Sequence, residues 1–156
     1  MKPNQLFAAL VTTVSLLGCE MEMTYKDISS RAEYRDLIGD TCELLVPLRA
    51  HGVAKKLEQK QKTDYITIWN PGFTGLEMTF FTQLMQGTRM RILAVRECAN
   101  CPFDTFVEYQ VAVDPEPDEF AGKPAFVRIE SFSPHHVRCG SGFNNSLKPT
   151  PIPHPA

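Results

Sequence analysis

Phe106-Val107-Glu108-Tyr109-Gln110-Val111-Ala112-Val113 decides the fold class. Val107, Tyr109, Val111 and Val113 alternate with Phe106, Glu108, Gln110 and Ala112, the period of two that sends successive side chains to opposite faces of a strand. Upstream, Arg89 to Glu97 predicts a second strand. Met90, Ile92 and Ala94 fall on one of its faces, and Leu93 and Val95 on the other, so it is expected to be covered on both sides. Asp64-Tyr65-Ile66-Thr67-Ile68-Trp69 is β-branched and aromatic and predicts a third. Further strands are expected at Met78 to Thr82 and Ala125 to Phe132. Another is expected over Thr41 to Ala50, where Pro47 points to an edge or a bulge.

Between these runs lie turn signals. Asn70-Pro71-Gly72 and Gln86-Gly87-Thr88 supply Pro and Gly where the chain must reverse. Asp114-Pro115-Glu116-Pro117-Asp118-Glu119 is an acidic loop, and Val53 to Thr63, with four lysines, is a solvated loop or helical turn. Ser30-Arg31-Ala32-Glu33 has the spacing of a capping box. Tyr34, Leu37 and Ile38 follow at helical spacing and Gly39 suits the end, which predicts a helix of about two turns. The fold expected is mainly β: a small barrel or sandwich of five to six short antiparallel strands with one short N-terminal helix.

The N-terminus reads differently. Lys2 is followed by an uncharged run from Pro3 to Gly18, then Cys19. A positive start, a short apolar stretch and a small residue at the end form a secretory signal, and the run falls short of the ~20 predominantly apolar residues of a span. Leu16-Leu17-Gly18-Cys19 resembles the lipobox of bacterial lipoproteins. That resemblance implies cleavage before Cys19, a lipid on its thiol and a membrane partner reached through that lipid. In enteric members an aspartate after the cysteine favours the inner membrane. Glu20 stands there, which places the expected address at the periplasmic face of the outer membrane, with the inner membrane as the alternative. The organisation expected is a signal peptide over 1–18, a lipidated tether over 19–28, a β domain over 29–139 and a disordered Pro-rich tail over 140–156.

The chain has 156 residues and a formal net charge of −2, and losing Lys2 leaves 15 basic against 18 acidic residues. No basic stripe suggests nucleic acid. Besides Cys19 there are four cysteines, an even set suited to an oxidising compartment. If the terminal strands are antiparallel neighbours, Cys42 meets Cys139, which leaves Cys98 with Cys101. The rival pairing is Cys42–Cys98 with Cys101–Cys139.

Candidate chemistry is sparse. Cys98-x-x-Cys101 has redox spacing, but a strand follows it where a helix would lower the thiol pKa. Cys98, Cys101, Cys139 and His135 or His136 offer zinc ligands without a standard second pair. Ser141, between two glycines, lacks the strand-to-helix setting of a nucleophile elbow. Glu108 and Glu130 are carboxylates on strands. No catalytic residue set and no cofactor is expected. Trp69 and Phe73 flank the Asn70-Pro71-Gly72 turn and are candidate partner-binding aromatics. Leu84 to Ile92 loosely resembles a turn and strand of bacterial Src-homology-three-like barrels, which would imply a wall- or peptide-binding module. The leading function is a non-enzymatic envelope lipoprotein, a tethered binding domain for a protein or cell-wall partner. The alternatives are an inhibitor or immunity-type lipoprotein acting on an envelope enzyme, and a thiol-redox or zinc protein using Cys98 and Cys101.

Overall fold

A computed structural model describes residues 23–56, 58, 62–70, 75–101 and 105–140. The signal peptide, Cys19, Phe73 and the tail from Ser141 onward lie outside them. Among the described residues nine strands form one mixed sheet: β1 Tyr25–Asp27, β2 Thr41–Leu44, β3 Leu48–Val53, β4 Tyr65–Ile68, β5 Met78–Leu84, β6 Arg89–Cys98, β7 Val107–Asp114, β8 Ala125–Arg128 and β9 Val137–Cys139. Their order is β5-β3-β4-β8-β7-β6-β2-β9, with β1 also on β6. Every pair is antiparallel except β4 with β8. The expectation of five to six antiparallel strands is therefore corrected to nine with one parallel pair.

The sheet curls without closing. Five strand spacings separate β5 from β6, about 24 Å across a flat sheet. Yet only the turn at residues 85–88 joins them, and five Cα steps reach at most about 19 Å. The turn is tighter still, because Thr88 N–H donates to the Met85 carbonyl and Gly87 takes φ +88°. The sheet must bend around its apolar face to satisfy this. No ladder joins β5 to β6 among the described residues, so the closed-barrel expectation fails.

The inner face carries the alternation read from the sequence. Tyr109, Val111 and Val113 of β7 are buried with Ile66 and Ile68 of β4 and Val127 of β8. On β6 the buried set is Met90, Ile92, Val95 and Cys98, while Leu93 is 38% exposed. Ile92 faces Val111 and Ala94 faces Gln110, leaving Leu93 as the extra residue of a bulge. One inserted residue flips the alternation. The apolar residues on both apparent faces of β6 thus reflect a bulge, not two covered faces.

Three other expectations shift. Thr41 to Ala50 is not one strand: β2 pairs with β6 and β9, and β3 with β4 and β5. Pro47 lies in the break, where no ladder needs its missing N–H. The helix is one turn, α1 Ala32–Arg35, and Ser30 does not cap it, the N-cap being Arg31 without a side-chain bond. Packing holds the segment instead, since Ile28 and Leu37 are each 1% exposed in the core. Finally, the stretch expected as a tether over 19–28 contains β1, which pairs Tyr25 with Cys98 and Asp27 with Arg96. A three-residue strand is too short to show a period, so only its long partner reveals it.

Candidate functional site

The outer face of the central strands carries a row of charge. Arg96 of β6 lies opposite Glu108 of β7, and Glu108 opposite Arg128 of β8. The Glu108 side chain is 5% exposed. Arg96 Nε and Nη2 donate to its Oε2 at 2.9 and 2.6 Å. Arg128 Nε stands 3.9 Å from Oε1, beyond hydrogen-bond reach. A buried carboxylate without partners would be strongly destabilising, and the paired guanidinium makes this one tolerable.

Aromatic rings fix both arginines. The Arg96 guanidinium carbon is 3.8 Å from the Tyr25 ring centre and 3.2 Å from that of Phe126. That of Arg128 is 3.7 Å from Phe106 and 4.7 Å from Trp69. These are cation–π distances. The Arg128 side chain is 27% exposed and donates no hydrogen bond among the described residues, its nearest carboxylate oxygen being Glu108 Oε1 at 3.9 Å. A planar fork held between two rings with unused donors can take a phosphate or carboxylate in two parallel bonds. Tyr65 packs edge-on to Phe126, and burial, reinforced by Tyr25 and Glu108, pushes its hydroxyl up to about 12. The Tyr25 hydroxyl is also raised, by burial first and Glu108 second, against the opposing pull of the two arginines. A shallow cleft of about 220 Å³ opens beside this cluster, lined by Tyr25, Asp27, Arg96, Gln110 and Phe126.

A second feature lies at the sheet's end. β5 pairs only with β3, so its other side is an edge among the described residues. Its sequence and the residues after it, Met78-Thr-Phe-Phe-Thr-Gln-Leu-Met-Gln86, contain no charge and no proline. Phe81 is 54% exposed, Met85 62% and nearby Leu76 69%. Phe81 tilts over the His51 ring at 5.4 Å, and Met78 Sδ lies 3.3 Å from His51 Nδ1. Burial, then Arg49, holds the His51 pKa below its usual range, which favours a neutral ring on this apolar patch.

The cysteines fall at two separate places. Cys42 of β2 faces Cys139 of β9 and the two form a disulfide. Cys98 and Cys101 form the other, closing the loop at the end of β6. Cys42 also faces Met90, eight residues before Cys98, which puts the two bridges roughly 25 Å apart along the strand. The zinc set of Cys98, Cys101, Cys139 and a neighbouring histidine is therefore not brought together, nor is the rival pairing. Among the described residues no group of three or more His, Cys, Asp or Glu could hold a metal. The Cys98–Cys101 loop instead receives the N-terminal segment: Thr24 N–H donates to Asn100 Oδ1 at 2.6 Å and Ala99 N–H to the Thr24 carbonyl at 2.9 Å.

Of the candidate aromatics, Trp69 is half-buried under Arg128, and its backbone N–H donates to the Arg49 carbonyl. Glu130 is exposed, while Glu108 is buried between the arginines. Sequence reading missed Arg96 and Arg128. Their signal was a charged residue at an outward position of each of three strands, which becomes a cluster only once β6, β7 and β8 are known to be adjacent.

Fold and sites together define an open, curled mixed β-sheet domain with an arginine–aromatic face and an unguarded edge. No family model matches the chain, and neither a curated protein nor a solved structure matches it.

Proposed function

We propose that the chain is a non-enzymatic envelope lipoprotein, a binding domain tethered through lipid on Cys19, and that it recognises a protein partner at the β5 edge. The observation that carries this reading is the edge itself. A seven-residue strand whose outer side is unpaired among the described residues, without charge or proline, forms a template for another strand, and proteins that must avoid such pairing place charges, prolines or very short strands there. Strand addition supplies affinity through main-chain hydrogen bonds and specificity through alternate side chains, here Phe81 and its neighbours over His51. An envelope enzyme is one partner that fits, which keeps the inhibitor or immunity-type role within the same reading.

The test is a photo-crosslinking residue at Phe81 in living cells, followed by mass spectrometry. A discrete envelope protein should be captured, and Phe81→Lys should abolish capture of that protein from a second crosslinker at Met85. Capture that survives Phe81→Lys would remove β5 as the site. Labelled palmitate should enter the wild type and not Cys19→Ala, and an unlabelled, soluble wild type would remove the anchor.

A further inference from the structure

We infer that the arginine–aromatic face around Arg128 seats on the phosphates of phospholipid headgroups in the membrane that carries the anchor. The inference rests on lipidation at Cys19 and on how few residues separate Cys19 from the segment docked on the sheet. Thr24 is docked on the Cys98–Cys101 loop, Met23 Sδ lies 3.8 Å from Cys101 Sγ, and Tyr25 is already in the sheet opposite Cys98. Four Cα steps separate Cys19 from Met23, a reach of at most about 15 Å. A ten-residue tether would let the domain swing clear of the bilayer, whereas this length holds the Cys98–Cys101 end of β6 close to it.

The arginine–aromatic face begins at that end. Phe106, whose carbonyl accepts the Cys98 N–H, lies 6.2 Å from the Tyr25 ring and against Arg128. Trp69 continues the surface on the other side of Arg128. Rings with an apolar body and a polar edge collect at the headgroup level of membranes, and guanidinium groups pair with phosphate through parallel hydrogen bonds. Charge fits as well. Arg96, Arg128 and Glu108 leave one net positive charge on a chain that is acidic overall, with Lys26 and Asp27 of β1 cancelling beside them. One guanidinium would bind headgroups weakly in solution. Beside a lipid anchor the local concentration of phosphate makes weak contact sufficient to orient the domain.

Trp69 is the single tryptophan, so its fluorescence reports this face alone. The experiment reconstitutes the lipidated mature protein into phosphatidylcholine–phosphatidylglycerol vesicles with a nitroxide quencher on the headgroups. Trp69 emission should fall by at least about two-fold against unlabelled vesicles, the depth expected of an interfacial ring. Arg128→Lys keeps the charge but loses the planar fork, and should return most of the emission while circular dichroism stays unchanged. Protein that sits on the vesicles with Trp69 unquenched overturns the inference and leaves the lipoprotein reading standing. Protein that never partitions, and takes up no palmitate, overturns the lipoprotein reading instead. If inorganic phosphate in solution shifts Trp69 as strongly as vesicles do, the site is one for small anions and the headgroup assignment fails.

Discussion

The two ends of the sheet are built in opposite ways. β9 has three residues, carries Arg138 paired to Glu43 at 3.0 Å, and is bonded to β2 through Cys42–Cys139. β1 on the same side is equally short and holds Lys26 and Asp27. Both are edges that another chain cannot readily extend. β5 is more than twice as long, uncharged, and faces outward with Phe81. The two borders of one sheet thus differ in build: one is stapled and charged, the other is left able to pair, and it is the latter to which the proposed function assigns recognition.

The contrast can be broken most forcefully at the stapled border. Cys42–Cys139 closes a separation of 97 residues, and on the chain-entropy model removing it costs about 4–5 kcal/mol. Cys42→Ala with Cys139→Ala should show the largest loss of melting temperature of any change described. A loss below about 1 kcal/mol would mean that the ladder and core hold this border without the bridge.

A smaller effect is expected where β5 meets β3. A Cβ on Gly52 would overlap the Phe80 ring and the Thr79 hydroxyl, because glycine there lets β5 lie close over β3 at the bulge. Gly52→Ala should destabilise by about 1–3 kcal/mol, the range of overpacking, and should speed hydrogen exchange in β5 more than in β9. Equal protection at both borders after the substitution would show that β5 is not a separate unit.

The smallest change lies midway, on β7. The Tyr109 hydroxyl is buried with no hydrogen-bond partner among the described residues, its ring set against Tyr34 and Phe132. Tyr109→Phe removes that unpaired group and should alter stability by less than about 1 kcal/mol, in the stabilising direction. It should also act on the pH profile. Tyr109 and Tyr65 have pKa values raised above the ordinary 10 by burial, Tyr65 to about 12. The unfolded chain therefore releases these protons first. Stability is fully present below pH 10 and is lost as pH rises through 10 toward 12 and beyond. Urea titrations above pH 10 should show a shallower loss in Tyr109→Phe than in wild type, and identical slopes would remove Tyr109 from the alkaline transition.

Long strands were legible because their alternation is long enough to count. Val107 to Val113 needed no partner to be recognised, whereas the four-residue Tyr65 to Ile68 was recognised by its β-branched and aromatic composition. β1 and β9, at three residues each, have no period of their own and exist because β6 and β2 offer them ladders. The bulge at Leu93 misled for a related reason. Adjacent apolar residues look the same whether both faces are covered or one residue is inserted, and only the register against Val111 and Gln110 separates the two.

By itself the sequence determined the β class, the inward face of β7, the turn at Gly87 and the presence of four cysteines beyond Cys19, all of which follow from local periodicity, backbone freedom and composition. Tertiary structure alone decided that the sheet is open and mixed, that Arg96, Glu108 and Arg128 form one cluster between aromatic rings, and that β5 is an edge. Each of these depends on which strands lie side by side. That choice is made by the curling of the whole sheet around one core, a balance of long-range contacts that no short window of residues contains.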